Sequence, residues 1–201
     1  MNWLEYETEA LAEGYKIVCG VDEAGRGPLA GPVCAACVVL PAGTVIEGVN
    51  DSKKLSEKKR DALYDVVKEQ ALDYGIAFAS EKEIDEINIL QATFLAMRRA
   101  VEGLTVVTPD IALIDGNKTP GLSIAERSII KGDAKSANIA AASILAKVTR
   151  DRYMLEMAEK YPEYQFQKHK GYGTKLHYEM IERYGISPIH RKTFLKKILG
   201  E

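Results

Sequence analysis

Short apolar, β-branched runs alternate with longer segments of helical periodicity along this chain. The runs predict strands at 16–21, 32–40, 74–79, 110–115 and 128–130. The periodic segments predict helices at 3–13, 56–72, 84–101 and 134–160, with Asp133 opening the last. Strands that begin at hairpin-like spacing and later alternate with helices indicate an α/β fold, in which a mixed β-sheet is flanked by helices. Residues 162–201 carry separate short helices and are expected to form a small helical C-terminal cap on a domain of residues 1–161.

The composition is typical of a single compact domain. The 201 residues, 46% of them hydrophobic and 28% charged, are enough to bury a core. No apolar run is long enough to cross a membrane, and the acidic N-terminal segment is unlike a secretory signal, so we expect a cytoplasmic protein without membrane contact. Cys34 and Cys37 form a C-x-x-C pattern, but residues three apart on a strand point to opposite faces. We therefore expect buried thiols and not a metal or redox pair.

Charge is unevenly distributed along the chain. The net charge of -2 is unlike the basic footprint of most nucleic-acid binders. Basic residues nevertheless concentrate in segments 53–60 and 168–197, whereas residues 1–15 are acidic. This asymmetry allows a polyanion to lie along one side of the molecule, although ordinary solvated surfaces show it too.

Four carboxylates stand at the ends of predicted strands or at the start of the long helix: Asp22, Glu23, Asp115 and Asp133. Acids that are brought together repel one another unless a cation holds them, and oxygen ligands suit Mg²⁺. Two such ions about 3.5–4 Å apart could activate water and stabilise the leaving oxygen in phosphodiester hydrolysis. The alternative is structural, with Asp133 capping a helix and Asp115 forming a turn before Gly116. Adjacent strand residues face opposite sides, so we expect the strand to break at Glu23 if both acids reach one ion.

A glycine-rich loop, GRGPLA at 25–30, follows the first of these strands. It satisfies the dinucleotide pattern G-x-G-x-x-A, which requires a helix immediately afterwards to bind the pyrophosphate. The continuation at 32–39 is β-like, so the Rossmann interpretation is rejected. The glycines instead allow bare backbone to approach whatever binds above the acids. No G-K-[ST] sequence of a Walker loop follows.

Asp133, Ser136, Ser143 and Lys147 fall near one stripe of the long predicted helix. The stripe could direct hydroxyls and an ammonium group at a phosphate beside the acids, or it could be the solvent-facing edge of a mostly buried helix.

Tyr172 lies between two glycines in the segment HKGYGT at 169–174. An aromatic side chain exposed there could stack on a sugar or base beside cations that bind phosphates. The alternative is an ordinary turn with a packed tyrosine. The three histidines, His169, His177 and His190, lack the spacing of a zinc motif, and we assign them no metal.

Six segments resemble, in family order, the signature blocks of ribonuclease HII, the bacterial type 2 ribonuclease H. They are GVDEAGRGP at 20–28, NDSKKL at 50–55, IDG at 114–116, KGDAKS at 131–136, ASILAK at 142–147 and HKGYGT at 169–174. The resemblance implies a ribonuclease H-like fold. It also implies an endonuclease that cuts on the 5′ side of ribonucleotides in RNA–DNA hybrids and of single ribonucleotides in duplex DNA, leaving 3′-hydroxyl and 5′-phosphate ends. Such an enzyme would remove misincorporated ribonucleotides and RNA primers.

The resemblance also implies roles for individual residues. The catalytic acids that bind two Mg²⁺ or Mn²⁺ ions would be Asp22, Glu23, Asp115 and Asp133. The ribose 2′-hydroxyl would be read largely through the backbone of Gly25, Arg26 and Gly27, and this hydroxyl distinguishes RNA from DNA. Tyr172 would stack on the sugar at the RNA–DNA junction. Further substrate contacts are expected from Lys53, Lys54, Ser136 and Lys147.

We expect a monomer, because the chain stops soon after Lys197 with little room for the clamp-binding tail or partner subunits of archaeal and eukaryotic relatives. Contact with a sliding clamp therefore has no support in the sequence. Two other functions compete with the ribonuclease. One is a different nuclease of the same fold, such as a junction resolvase, against which the glycine-arginine-glycine loop and the downstream tyrosine argue. The other is a catalytically silent nucleic-acid-binding module, for which the four acids would be unfavourable.

Overall fold

The computed structural model describes residues 2–49 and 55–200, with the side chain of residue 198 left out. Among these residues the sheet has five strands: β1 (Val18–Ala24), β2 (Val33–Val39), β3 (Asp73–Ala79), β4 (Ile111–Asp115) and β5 (Ala125–Ile129). The longer helices are α1 (Glu5–Ala12), α2 (Glu57–Gln70), α3 (Glu81–Glu102), α4 (Ala137–Lys160) and α6 (Lys175–Tyr184), and the short ones are α5 (Phe166–His169) and α7 (Lys196–Leu199). The predicted mixed α/β fold is confirmed.

The sheet order is β3-β2-β1-β4-β5. Strands β1, β2 and β3 pair antiparallel, whereas β4 pairs parallel with both β1 and β5. In the β1–β4 register Val21 lies opposite Ile114, so the next residues on the two strands are Asp22 and Asp115. The parallel pairing therefore brings acids that are far apart in sequence to the same edge of the sheet.

Helices α3 and α4 cover opposite faces of the sheet. One face carries Cys19, Val21 and Cys37 against the alanines of α3, and the other carries Ala36 and Val38 against α4. Cys37 thus faces α3, and Cys34, one of the other buried free thiols, points to the opposite face, as predicted.

Close contact between α4 and the centre of the sheet depends on Gly20. A Cβ atom at this position would lie 2.2 Å from the backbone of Asn138, which is closer than any real Cβ contact. A side chain at position 20 would therefore push α4 away from β1. Gly20 therefore allows α4 and β1, which both carry residues of the candidate site, to lie close together.

The helix starts follow the capping residues of the sequence. The Ser56 hydroxyl accepts a hydrogen bond from the Lys59 amide, and Ser80 forms a capping box with Glu83. Helix α3 is interrupted at Asn88, which has φ 66° and ψ 164°.

Residues 162–200 form short helices that pack on the end of α4 and on the glycine loop. Phe166 and Ile189 pack against Ala30 and Met154, and a β-bridge joins Ala30 to His190. The C-terminal cap therefore packs against the end of the glycine loop at Ala30. The division at residue 161 stays a prediction. No helix within 2–49 or 55–200 is long and apolar enough to cross a membrane.

Candidate active site

The acids at the ends of β1 and β4 lie beside an open cavity of about 540 Å³. Asp22 and Glu23 line it together with Lys147 and Tyr172, and an adjoining depression is lined by Glu23 and Asp115. The expected strand break at Glu23 is wrong, because β1 keeps its pairing with β2 through Ala24. Both acids reach the cavity because it lies at the strand end, where the buried Asp22 faces α4 and Glu23 faces α3.

Asp133 occupies a different element from the one predicted. It lies in a 3₁₀ turn, Gly132–Ala134, and α4 begins only at Ala137. The N-cap of α4 is Ser136, whose hydroxyl accepts a hydrogen bond from the Ile139 amide at 3.2 Å. The prediction that Asp133 opens the long helix is therefore wrong, because the N-cap of α4 is Ser136, three residues later.

The Asp115 carboxylate holds the turn that carries Asp133. Its Oδ1 accepts hydrogen bonds from the amide of Gly132 at 2.6 Å and from the amide of Asp133 at 3.3 Å. A Cβ at position 132 would lie 2.6 Å from Ile139 Cδ1 and 3.3 Å from that oxygen, so a side chain there would require Ile139 to move.

The four acids interact electrostatically. Burial raises the pKa of Asp22 well above its usual value, and the charges of Glu23, Asp115 and Asp133 raise it further, against a lowering hydrogen bond from the Glu23 amide. The structure therefore brings the other three predicted acids within electrostatic reach of Asp22. A group of like charges around a buried carboxyl is a site that a cation would stabilise.

The carboxylates are held by protein groups in this structure. Asp22 Oδ1 accepts a hydrogen bond from the Glu23 amide at 2.7 Å, and Asp115 Oδ1 accepts from the amides of Gly132 and Asp133. Glu23 Oε1 lies 3.5 Å from the Arg26 guanidinium. In the described part of the chain, no three acid, histidine or cysteine side chains are already arranged around one ion position. The all-oxygen donor set suits Mg²⁺ or Mn²⁺, and the carboxylates would have to turn towards the ion.

The glycine loop curves over the cavity after a positive φ of 97° at Gly25. Strand β2 follows the loop, which confirms the predicted strand and excludes the helix that a Rossmann fold would require there. The ring of Tyr172 lies close to this loop, since a Cβ at Gly27 would be 3.8 Å from Tyr172 Cε1. The loop and the tyrosine therefore form two sides of one opening.

Tyr172 is presented on a sharp turn and is 42% exposed. Lys170 and Gly171 have positive φ, and a Cβ at Gly171 would lie 2.5 Å from the Ala30 carbonyl oxygen. Lys147 Nζ lies 5.9 Å from the ring centroid. Of the two alternatives that the sequence left open, the structure shows the exposed ring, with a cation beside it.

The comparisons with known proteins agree with this geometry. The sequence model of the family described as Ribonuclease HII matches residues 19–197. The chain belongs to the ribonuclease HII family. Ribonuclease HII of Clostridioides difficile strain 630 is 60% identical over 194 residues, which are 96% of this chain and 76% of that protein. Ribonuclease HII of Caldicellulosiruptor bescii is 57% identical over 199 residues, which are 99% and 96% of the two chains.

Solved structures show the same fold. The ribonuclease H2 of Pyrococcus horikoshii OT3 superposes with a TM-score of 0.74 at 31% identity, covering 89% of this chain and 93% of that one. The ribonuclease HII of Archaeoglobus fulgidus, solved in a complex with PCNA, gives 0.68 at 25% identity, covering 88% and 94%. This family member is thus a ribonuclease H, a hydrolase that cuts RNA in RNA–DNA hybrids as an endonuclease.

The remaining predicted contacts of this ribonuclease HII chain divide into three groups. Lys147 lines the cavity, with its Nζ 2.8 Å from Asp151 Oδ1. Ser136 is completely buried, and its hydroxyl donates to Glu7 Oε1 at 2.6 Å and accepts from the Ile139 amide at 3.2 Å, so it faces the interior and not the cavity. Lys53 and Lys54 lie outside the described residues.

Two arginines that were not identified from the sequence hold the glycine loop and the start of β2 in place with their side chains. Arg191, counted in the sequence as part of a positive tail, is completely buried and donates to the carbonyls of Gly25, Arg26 and Gly31. Arg150 is also completely buried and donates to the carbonyls of Ala30, Pro32 and Lys170. No local signal distinguishes them from surface arginines, because their acceptors come from distant segments.

Proposed function

We propose that this chain cleaves the phosphodiester on the 5′ side of ribonucleotides, both in RNA–DNA hybrids and at single ribonucleotides embedded in duplex DNA. The products would carry 3′-hydroxyl and 5′-phosphate ends, which suits the removal of misincorporated ribonucleotides and of RNA primers. The observation that carries the proposal is the joint placement of Asp22, Glu23, the 25–27 loop and Tyr172 around one opening. Carboxylates that would serve hydrolysis thereby lie next to a backbone segment and an aromatic ring that would contact a sugar.

Two divalent ions, Mg²⁺ or Mn²⁺, would supply an activated water and charge stabilisation of the leaving oxygen when bound. The residues that would hold them are Asp22, Glu23, Asp115 and Asp133. The raised pKa of Asp22 among three like charges supports this assignment, because a cation would relieve that repulsion. Asp115 would keep one oxygen on the Gly132 amide while its other oxygen stays available.

The other residues position the substrate. The amides of the 25–27 loop would meet the ribose 2′-hydroxyl, the group that separates RNA from DNA. Tyr172 would stack on the adjacent sugar, and Lys147, beside that ring, would bind a phosphate. Base identity would matter little, since these contacts reach backbone and sugar.

One experiment separates this function from its rivals. A labelled duplex with a single ribonucleotide is incubated with the protein and Mg²⁺, and then with an excess of chelator. We expect one cut on the 5′ side of the ribonucleotide, sealed by a ligase only if a 5′-phosphate and a 3′-hydroxyl were formed, and no cut with chelator. Cleavage of a four-way junction instead would favour a resolvase, and binding without any cleavage would favour a silent module.

We further propose that the chain acts as a monomer in the cytoplasm. Each residue of the proposed site comes from this one chain, so a second copy is not needed to complete it. Light scattering during gel filtration would report the mass directly, against 22.2 kDa for one chain. A partner clamp has no support in these residues, and the complex with PCNA is a property of the Archaeoglobus fulgidus protein.

A further inference from the structure

The carbonyls of Gly25 and Arg26 in the glycine loop both accept hydrogen bonds from the side chain of Arg191. Arg191 Nη2 donates to the Gly25 carbonyl at 2.6 Å, Nη1 to the Arg26 carbonyl at 2.9 Å and Nε to the Gly31 carbonyl at 2.8 Å. The backbone amide of Arg191 donates to the Leu29 carbonyl at 2.8 Å. One residue of the C-terminal cap therefore binds both ends of the 25–31 segment.

These contacts orient the opposite side of the loop. A trans peptide unit is planar, and its N–H points away from its C=O. The carbonyl of Gly25 points to Arg191, so the N–H of Arg26 points the other way, and the carbonyl of Arg26 fixes the N–H of Gly27 in the same manner. Arg191 is buried, whereas residues 25–27 line the cavity, so both amides are directed away from the interior.

A guanidinium is suited to this position for a physical reason. Its rigid fork makes several hydrogen bonds in fixed directions, whereas the ammonium of lysine is a single point on a flexible stem. Burial, followed by the charge of the neighbouring Arg150, lowers the pKa of Arg191 to about 9, which shows that holding the charge here is unfavourable on its own. Three loop carbonyls compensate for that burial, so the loop geometry and the buried charge depend on each other.

We propose that Arg191 is a positioning residue for sugar selectivity, which holds the amides of Arg26 and Gly27 in the orientation that donates to a ribose 2′-hydroxyl. The inference rests on the proposed function, and it adds a residue that touches neither the substrate nor the reacting atoms. Arg191 acts through the loop, so its loss affects discrimination between ribose and deoxyribose more than binding of the duplex as such.

The test is the Arg191→Lys variant, compared with the unmodified protein in its affinity for two duplexes. One duplex contains a single ribonucleotide and the other is all DNA, with Ca²⁺ replacing Mg²⁺ so that binding is measured without turnover. We expect the preference for the ribonucleotide duplex to fall about tenfold, as for the loss of one good hydrogen bond. Affinity for the all-DNA duplex should stay within about twofold, because phosphate contacts dominate it.

A matched control separates positioning from stability. Ile111→Ala removes a fully buried side chain from the cluster at the start of β4, away from the loop. It should lower the melting temperature and leave the preference unchanged. An unchanged preference in a folded Arg191→Lys protein, or an equal loss of preference in Ile111→Ala, overturns the inference.

Two other results need their own interpretation: failure of the proposed function, and failure of Arg191→Lys to fold. If the unmodified protein shows neither preference nor cleavage at the ribonucleotide, the proposed function itself fails. If Arg191→Lys does not fold, amide resonances of Arg26 and Gly27 and side-chain resonances of Arg191 are followed in the unmodified protein by nuclear magnetic resonance. All three should shift with the ribonucleotide duplex and not with the all-DNA duplex, and the absence of that difference overturns the inference.

Discussion

The carboxylate of Asp115 accepts a 2.6 Å hydrogen bond from the amide of Gly132, so the end of β4 is tied to the turn that carries Asp133. The two residues come from elements separated by a strand and two loops. Asp115 therefore has two tasks, since it shapes the turn with one oxygen and contributes charge beside Asp22.

The Asp115→Asn variant should keep the fold and lose most turnover. The amide oxygen of asparagine can still accept from Gly132, so the turn is retained, whereas a neutral amide is a poorer ligand for Mg²⁺. We expect single-turnover cleavage to fall about a hundredfold or more, with duplex binding unchanged or tighter because one negative charge is gone. Cleavage near the parental rate at saturating Mg²⁺ would remove Asp115 from the site.

Replacement of Tyr172 should reduce cleavage at a lone ribonucleotide. Stacking on an aromatic ring contributes about 1–3 kcal/mol, so Tyr172→Ala should slow single-turnover cleavage roughly ten- to a hundredfold. Tyr172→Phe keeps the ring and should retain more activity. Both variants are compared on one embedded ribonucleotide and on a long hybrid. Equal losses on both substrates would indicate a general folding defect, and no loss on either would remove Tyr172 from the substrate contacts.

Binding should weaken with salt in proportion to the phosphates contacted. Lys196 and Lys197 are exposed near the C-terminus, and replacing both with glutamine should lower the salt slope of duplex affinity by about two. A Lys16→Gln control changes an exposed lysine just before β1, at the strand end opposite to Asp22, and should leave the slope unchanged. An unchanged slope in the double variant would place these lysines outside the nucleic-acid track.

A buried pair of histidines should make stability depend on acid pH. His177 Nε2 lies 3.0 Å from His190 Nε2, while His177 Nδ1 lies 2.9 Å from the Tyr172 carbonyl and His190 Nδ1 accepts from the Ser187 amide. The carbonyl requires a proton on His177 Nδ1, so His190 donates to His177 and both rings are neutral. This chain of hydrogen bonds supports the tyrosine turn.

Burial lowers the pKa of both His177 and His190 to about 4. In the unfolded chain the pKa of these histidines is about 6.5. Between pH 6.5 and pH 4, the unfolded chain therefore binds protons that the folded chain does not. The free energy of unfolding should therefore fall as the pH drops through this window and show no further loss from these groups below it. Thermal unfolding between pH 7 and pH 4 measures this, and a His177→Phe variant should flatten the curve. An equally steep curve in that variant would contradict the assignment.

Much of the site was determined by local sequence. The apolar runs that end in Asp22 and Asp115 predict the two strands, and the β-like segment after residue 31 excludes the dinucleotide fold. The two glycines around Tyr172 predict a turn there, whereas the choice between an exposed and a packed ring was left open by the sequence. These predictions hold because they depend on side-chain alternation and on backbone conformations that neighbouring residues decide.

The tertiary structure decided which groups are buried and which contacts they make. Ser136 was expected to face a phosphate, but it binds Glu7 of α1, and the turn of Asp133 is shaped by Asp115. Arg191 is one cation among many in the sequence, yet it donates to the carbonyl of Gly25 in the loop after β1. A buried charge is stable only where hydrogen-bonding or charged partners surround it, and for Arg191 these come from segments distant in sequence, so its role is decided when the chain is folded.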